Sequence, residues 1–322
     1  MKKGFYSSLF LAAICAALVV AGLPDPLLSQ APSHKAKRIN RAIELLEQGQ
    51  PIYYTSTSGA GYEEGKKMAH TWADYITYEM EHGAFDITRL RDFMRGLVDG
   101  GPTKSGHRTP AVICTLPVPG LDHATMMANS WMVEQVLASG VHGILLVHAR
   151  TPEAVRTFVR AARYPFHKPA PGIEEGLRGN GGQGFASRIW GVSADQYLQM
   201  AEPWPLNPKG EILLGLKIED RHALANAEAS TKVPGIGFAE WGPGDMGMSL
   251  GFPSNHDEPF PQSMQDARAR VLAACKAAKI AFLNTVRPDD VQMRIKEGVM
   301  IGAGSQEAAE KGRRHTKRQM PW

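Results

Sequence analysis

The chain has 322 residues, 43% of them hydrophobic and 21% charged, and carries a formal net charge of +4. This length is enough for a large buried core, in either one α/β barrel or two smaller domains. Two of the positive charges, Lys2 and Lys3, lie in a segment that we expect to be removed, which leaves +2. An excess this small gives no support for nucleic acid as a partner.

The N-terminal segment MKKGFYSSLFLAAICAALVVAG, residues 1 to 22, has two lysines, an apolar run over residues 9 to 20 and two small residues at its end. This order predicts a secretory signal peptide, followed by a linker over residues 23 to 38. A membrane anchor is the alternative, but the apolar run is shorter than the roughly 20 residues that span a bilayer. We therefore expect an exported protein, periplasmic or secreted, without a stable membrane span after processing.

From residue 36 onwards, short apolar runs rich in β-forming residues alternate with longer segments of helical period. The runs cover residues 52 to 56, 74 to 80, 110 to 116, 143 to 148, 211 to 219, 235 to 241, 279 to 285 and 298 to 302. The clearest helical segments cover residues 86 to 100, 129 to 140, 151 to 164 and 263 to 278. Eight strands separated by helices predict a single (β/α)8 TIM barrel over residues 39 to 322, whose active site lies at the C-terminal strand ends.

An open, doubly wound sheet is the alternative architecture. No GxxxxGK[ST] phosphate loop follows a predicted strand, which disfavours that sheet and argues against a nucleotide cofactor. Cys114 falls in a predicted strand and Cys275 in a predicted helix. We interpret both cysteines as small buried apolar residues without chemistry.

Two segments depart from the alternation. Residues 167 to 194 are rich in glycine and long for a plain connection, so we expect either a functional loop or a mobile one. The basic tail, residues 310 to 322, predicts a solvated end that packs against a neighbouring subunit, and a polyanion-binding tail is the alternative.

The run EILLGLKIE places two charged side chains on one face of a strand. Lys217 and Glu219 share that face because side chains alternate, and Ile218 points the other way. If Ile218 packs against the helices, Lys217 and Glu219 point into the barrel near its C-terminal end. A buried carboxylate is costly unless it is paired or bound to a metal. The alternative is a purely structural ion pair of Glu219 with Lys217 or Arg221.

The segment WGPGDMGMSLG places Asp245 just beyond the next predicted strand. Carboxylates at adjacent strand ends, completed by water, form the oxygen-rich site that Mg²⁺ or Mn²⁺ prefers. Gly242 and Gly244 allow the backbone to approach a ligand closely, and Pro243 stiffens the turn. A helix N-cap is the alternative for Asp245, and the two roles can coexist.

The segment YEMEHGAF ends another predicted strand. Glu79 and Glu81 share a face, and His82 opens the following loop. Histidine is the usual general base near neutral pH, and a neighbouring carboxylate can hold its tautomer. A structural pairing of these side chains is the alternative.

The segments AHTWADYITYEMEHGAFD, VRAARYP, GLKIEDRHALAN and PGIGFAEWGPGDMGMSLG, in this order, resemble the HpcH/HpaI aldolase/citrate lyase family, in particular its 2,4-dihydroxyhept-2-enedioate aldolase branch. The resemblance covers about residues 40 to 305. It implies a (β/α)8 barrel, assembled as a homo-oligomer such as a trimer or hexamer. It also implies a carbon–carbon lyase that uses a divalent metal to cleave or form a bond next to a 2-oxo acid such as pyruvate.

The resemblance also implies roles for individual residues. Glu219 and Asp245 match the metal ligands, with Mg²⁺ or Mn²⁺ as the expected ion and Co²⁺ as an alternative. His82 matches the catalytic base, and Glu79 is expected to orient it. The backbone of residues 242 to 245, which includes Gly242, Pro243 and Gly244, is expected to line the carboxylate end of the substrate.

Four positions differ from the family pattern. The family's V-x-R-x-P arginine is replaced in VICTLPVP by Cys114 or Thr115, and an aspartate that supports the histidine is Ala138. Lys217 stands where the family has a substrate-contacting glutamine. Glu79 stands where the family usually has an aspartate, ahead of the pair Glu81 and His82. In one interpretation Lys217 supplies the missing positive charge, and Lys217 and Thr115 contact the substrate. In the other, aldol chemistry is lost, and the barrel binds a small carboxylate or acts on a different hydroxy acid.

Overall fold

The computed structural model of the chain describes residues 34–117, 120–254 and 257–322. In chain order its strands are β1 (Ile52–Ser58), β2 (Tyr75–Glu79), β3 (Ala111–Thr115), β4 (Gly143–Leu146), β5 (Pro203–Trp204), β6 (Ile212–Lys217), β7 (Phe238–Glu240), β8 (Ala281–Thr285) and β9 (Val299–Ala303). The parallel pairings of β1 with β9 and of β4 with β6 close eight strands into a ring, and the two-residue β5 pairs beside β6. The eight predicted strands and the barrel are thus confirmed, and the open sheet is excluded.

The helices surround this ring. They are α1 (Arg41–Glu47), α2 (Tyr62–Met68), α3 (Ile87–Asp99), α4 (His123–Ala128), α5 (Ser130–Leu137), α6 (Pro152–Ala161), α7 (Gln183–Trp190), α8 (Ala194–Met200), α9 (Arg221–Ala225), α10 (Ala227–Thr231), α11 (Pro243–Leu250), α12 (Gln262–Ala278), α13 (Val291–Glu297) and α14 (Gln306–His315). The four clearest helical segments of the sequence correspond to α3, α5, α6 and α12. Across the described part of the chain, none of the helices is both long enough and apolar enough to span a bilayer.

Side-chain alternation in β6 divides two apolar cores. Leu214 and Leu216 point outwards into the core between strands and helices, and Ile218 continues that row beyond the strand. Leu213 points into the barrel, where it packs with inward-facing residues of the other strands and with α1. Lys217 lies on the inward face with Leu213, and the charged pair predicted in this strand therefore stands at the barrel mouth.

The opposite end of the barrel holds a buried charge cluster. Asp74 precedes β2 and is fully buried, with Arg318 Nη1 at 2.7 Å, Arg313 Nη2 at 3.1 Å and Arg41 Nη2 at 3.3 Å from its Oδ1. Arg313 belongs to α14, and Arg318 lies in the tail that follows it. The expectation of a solvated basic tail is therefore wrong for these two arginines, which are committed to an acid of their own barrel.

Three further expectations concern segments outside the strands. Residues 167 to 194 are not a plain loop, because they include α7, and Trp190 Nε1 donates a hydrogen bond of 2.9 Å to the Gly140 carbonyl. Cys114 and Cys275 are both free and buried, as expected. The predicted signal peptide and most of the predicted linker lie outside the described residues. Residues 34 to 38 of that linker contact α1, where Glu44 accepts from His34 and from the Arg38 backbone.

Candidate active site

Glu219 is a buried carboxylate at the barrel mouth. It lies two residues beyond the end of β6 and is 1% exposed. Its Oε1 accepts a hydrogen bond of 3.1 Å from the backbone nitrogen of His148, and its Oε2 lies 3.7 Å from Lys217 Nζ. The ammonium group of Lys217 also forms an ion pair with Glu81, which follows β2. One lysine thus bridges carboxylates from two sides of the barrel.

Other acidic side chains gather around this pair. Glu240 is the register partner of Lys217 on β7, and Asp245 lies in the first turn of α11. Donor atoms of four residues lie within 4.8 Å of one another, namely Glu81, His148, Glu219 and Asp245. Carboxylates therefore outnumber the single Lys217 ammonium in this part of the mouth.

Burial and neighbouring charges shift the pKa values of Glu219, Glu240 and Lys217. Burial raises the pKa of Glu219 to about 7; Glu240 and Glu81 act in the same direction, and Lys217 opposes them. Burial also raises the pKa of Glu240, and the negative charges of Glu81, Glu79 and Asp245 raise it further. For Lys217 burial acts downwards, but Glu240, Glu219 and Glu81 outweigh it and hold its pKa above the ordinary lysine value.

The donor set fits a hard divalent cation. A cation that binds between neighbouring buried carboxylates offsets both their burial and their mutual repulsion. Glu219 and Asp245 are oxygen donors from neighbouring strand ends, and the charge of Lys217 alone leaves the cluster negative. The residues present are therefore compatible with the ion that the sequence predicts.

His148 lies at the same rim, after the end of β4. Its backbone has a φ of 44°, an unusual value for a residue with a side chain. Its Nδ1 lies 3.0 Å from Asp220 Oδ2, which also accepts a hydrogen bond of 2.8 Å from Arg150 Nε. The hydrogen bond to Asp220 raises the pKa of His148; burial opposes the rise, and Glu219 and Asp245 add to it. The other oxygen of Asp220 caps α9.

His82 and Glu79 occupy the facing side of the rim. The His82 side chain is 73% exposed, with Nδ1 at 3.7 Å from Glu79 Oε1 and Nε2 at 3.9 Å from Glu81 Oε1. Glu79 Oε1 also accepts backbone hydrogen bonds from Glu81, at 2.7 Å, and from His82, at 3.1 Å. Glu79 therefore shapes the turn that carries His82, besides lying near its ring.

Thr115 lies beneath this turn and is buried. Its Oγ1 accepts hydrogen bonds of 2.9 Å from the Met80 nitrogen and 3.2 Å from the Glu81 nitrogen. The hydroxyl group thus fixes the backbone that presents Glu81 to Lys217. Its observed contacts are with the protein backbone, whereas the sequence led us to expect a contact with substrate.

The β7–α11 connection approaches Glu219 closely. A Cβ atom on Gly242 would lie 2.7 Å from Glu219 Oε2 and 2.9 Å from Glu219 Cβ, so only glycine fits beside this carboxylate. Pro243 and Gly244 open α11, and Gly242 is its N-cap. Asp245 therefore lies in the first helical turn and is not the N-cap, which corrects the alternative interpretation of this residue.

The structure thus brings Lys217, Glu219 and Asp245 together and places His82 and Glu79 across the mouth from them. Sequence reasoning noted Glu81 without giving it a role, and it overlooked three polar residues, His148, Asp220 and Glu240. Each of the three lies at or just beyond the C-terminal end of a strand. Attention to every polar residue at such positions would have found them.

Comparison with known proteins matches the family model described as HpcH/HpaI aldolase/citrate lyase over residues 59–305. The hydroxypyruvate/pyruvate aldolase of Roseobacter denitrificans is 25% identical over 276 residues, which cover 84% of this chain and 92% of that protein. The 4-hydroxy-2-oxovalerate aldolase of Rhodococcus jostii is 36% identical over 151 residues, 47% of this chain and 52% of that protein. The crystal structure of an HpcH/HpaI aldolase/citrate lyase family protein from Burkholderia cenocepacia has the same fold, with a TM-score of 0.64 and 22% identity over 86% of this chain and 96% of that one. The chain therefore belongs to the HpcH/HpaI aldolase/citrate lyase family of enzymes.

Proposed function

We propose that the chain is a metal-dependent aldolase that cleaves or forms a carbon–carbon bond next to a 2-oxo acid of the pyruvate type. The observation that carries the proposal is the buried Glu219, which lies with Asp245 in a cluster whose carboxylates outnumber its lysine. Membership of the family and the aldolase names of the relatives support the same chemistry.

Glu219 and Asp245 would hold the ion, Mg²⁺ or Mn²⁺, with Co²⁺ as an alternative. A bound divalent ion would polarise the carbonyl group of the oxo acid and stabilise the negative charge that develops there as the bond breaks. The backbone N–H groups of Gly244 and Asp245 lie in the first turn of α11, where no preceding turn supplies a carbonyl acceptor. They would bind the carboxylate end of the substrate.

Two cationic or basic side chains complete the proposed mechanism. Lys217 stays charged between Glu81 and Glu219 and supplies positive charge that the family's arginine would otherwise provide. His82 takes the proton from the hydroxyl group of the aldol substrate. Glu79 positions it by accepting a hydrogen bond of 3.1 Å from the His82 backbone nitrogen, and its Oε1 lies 3.7 Å from His82 Nδ1. The exposure of His82 leaves it free to meet a substrate that enters from solvent.

Deuterium exchange into the methyl group of pyruvate, followed by NMR, tests the proposal on metal-stripped protein with and without added Mg²⁺. We expect exchange that requires the ion and is lost in Asp245→Ala. Asp195→Ala is a matched control, because Asp195 also lies in the first turn of a helix but at α8. His82→Ala should still bind the ion, while cleavage of a hydroxy-oxo acid substrate falls by roughly 10²- to 10⁴-fold.

Exchange that persists without metal, or survives in Asp245→Ala, would contradict the proposed site.

A second function is favoured by one observation, the commitment of the Thr115 hydroxyl group to backbone hydrogen bonds where the family has an arginine. If the protein binds metal, gains thermal stability with small carboxylates and yields no exchange, it is a carboxylate-binding barrel or acts on another hydroxy acid. Export and homo-oligomeric assembly stay predictions.

A further inference from the structure

His148 lies against the proposed metal site and has no role in the mechanism above. One of its ring nitrogens falls within 4.8 Å of donor atoms of Glu81, Glu219 and Asp245. Its backbone nitrogen donates to Glu219 Oε1 at 3.1 Å, so the residue is tied to the same carboxylate that is expected to hold the ion. Only 26% of its side chain is exposed.

The ring of His148 is oriented by an acid behind it. Nδ1 lies 3.0 Å from Asp220 Oδ2 and 3.8 Å from Glu219 Oε1. With its Nδ1 proton donated to Asp220, the neutral ring would bind a cation through the lone pair of Nε2. Arg150 Nε, at 2.8 Å, holds the same oxygen of Asp220, and Asp220 Oδ1 is fixed by the backbone of α9. An acid that orients a histidine through its second nitrogen is the usual support of a metal-binding imidazole.

The carboxylates of the cluster differ in how closely they pair with the Lys217 ammonium group. Glu81 is engaged by the Lys217 ammonium group, so its charge is already balanced. Asp245 lies beyond the ion pairs of Lys217, and Glu219 Oε2 is 3.7 Å from that ammonium, longer than a hydrogen bond. Glu219, Asp245 and His148 are therefore the three donors left for a cation.

We infer that His148 is a third protein ligand of the metal site, and that the site takes ions with affinity for imidazole, such as Co²⁺ or Zn²⁺, in preference to Mg²⁺. Mg²⁺ prefers oxygen donors, whereas a nitrogen ligand favours later first-row metals. This inference rests on the proposed function and specifies the ion that the site selects.

Metal titration by calorimetry on stripped protein tests the selectivity. The variant is His148→Asn, because asparagine tolerates the positive φ at this position and cannot replace the ring. We expect Co²⁺ affinity to fall by roughly 10- to 100-fold in the variant, while Mg²⁺ affinity changes little. Asp220→Asn keeps an oxygen to cap α9 but loses the acceptor for Nδ1, and we expect a smaller loss of Co²⁺ affinity.

Pulsed EPR of the Mn²⁺-loaded protein, labelled with ¹⁵N-histidine, gives a readout independent of activity. We expect a nitrogen coupling in the unsubstituted protein that disappears in His148→Asn and persists in His82→Asn, the matched control at the other side of the mouth. Unchanged Co²⁺ affinity in His148→Asn, or a coupling lost only in His82→Asn, would overturn the inference.

The same measurements separate this inference from the proposed function. If neither Co²⁺ nor Mg²⁺ binds to the unsubstituted protein, the proposed metal-dependent aldolase itself fails. If metal binds and pyruvate exchanges, but no nitrogen coupling is seen, only the role of His148 is wrong.

Discussion

Lys217 is the residue that most alters the electrostatics of the barrel mouth. Its ammonium group pairs with Glu81 and lies 3.7 Å from Glu219, so it competes with a metal ion for the same carboxylates. An ammonium about 5 Å from a divalent ion repels it by several kcal/mol at an effective dielectric constant of about 20, before screening by salt. The lysine therefore weakens metal binding while it supplies charge for an anionic substrate.

We expect Lys217→Gln to bind Mg²⁺ or Mn²⁺ at least about tenfold more tightly, because this repulsion is removed. We also expect KM for the oxo acid to rise, because the substrate carboxylate loses a cation. Calorimetry gives the first quantity and steady-state kinetics the second, with Lys67→Gln, an exposed lysine on α2, as the control. Unchanged metal affinity would show that Lys217 does not compete for the site, and an unchanged KM would refute its role as the relocated cation.

Some of these residues were accessible from the sequence and others were not. The two-residue period of β6 was enough to place Lys217 and Glu219 on the inward face. The partner of Lys217 was not predictable, because Glu81 reaches it from the other side of the ring and strand period carries no information about such distances. His148 was missed because it was counted as the last residue of an apolar run, whereas β4 ends at Leu146 and leaves it at the rim.

At the scale of elements, the site depends on how closely α11 approaches the end of β6. Gly242 permits that approach, because a side chain there would overlap Glu219. We expect Gly242→Ala to displace the Glu219 carboxylate, to weaken metal binding by tenfold or more, and to lower the free energy of unfolding by about 1–3 kcal/mol. Metal titration and urea unfolding measure the two effects.

Gly184→Ala is the control for this substitution. Gly184 lies in α7, and an added Cβ there meets nothing within 4 Å, so we expect metal affinity and the free energy of unfolding to stay near their original values. If Gly242→Ala binds metal as tightly as the unsubstituted protein, Glu219 is either mobile enough to yield or is not a ligand.

The elements of the barrel were more predictable than the segments that decorate it. The strands and the helices α3, α5, α6 and α12 follow from local period and length. Residues 167 to 194 and the C-terminal tail did not, because their structure depends on distant contacts. Trp190 binds the Gly140 carbonyl, and Arg318 binds Asp74, 244 positions away in sequence. Composition predicted a solvated tail because it cannot reveal that the buried Asp74 pairs with Arg313 and Arg318.

At the scale of the whole molecule, the two ends of the barrel hold charge clusters of opposite sign. The mouth gathers carboxylates that outnumber their lysine, whereas the base gathers Arg41, Arg313 and Arg318 around the single carboxylate of Asp74. The base cluster links α1 and the residue before β2 to α14 and the C-terminal tail, at the end of the barrel opposite the site. Stability and metal binding should therefore be separable by substitution at the two ends.

Asp74→Asn tests that separation. Burial opposes ionisation of Asp74, but the three arginines, with Arg318 foremost, hold its pKa well below the ordinary value of 3.8. Its contribution to stability is therefore fully present above about pH 3.8 and is lost as the pH falls below that value. At pH 7 we expect the substitution to lower the free energy of unfolding by roughly 3–5 kcal/mol, because it leaves buried guanidinium groups without their counterion.

Urea unfolding from pH 7 down to pH 3 measures this effect, and the difference between the unsubstituted protein and Asp74→Asn should narrow as the pH falls below 3.8. Asp92→Asn, which affects only an exposed pair with Arg95, should change the stability by less than about 1 kcal/mol. Under conditions where Asp74→Asn remains folded, its metal affinity should match that of the unsubstituted protein, because Asp74 precedes β2 and the metal donors follow the strand ends. A loss of metal affinity in the folded variant would mean that the base and the mouth of the barrel are coupled through the strands.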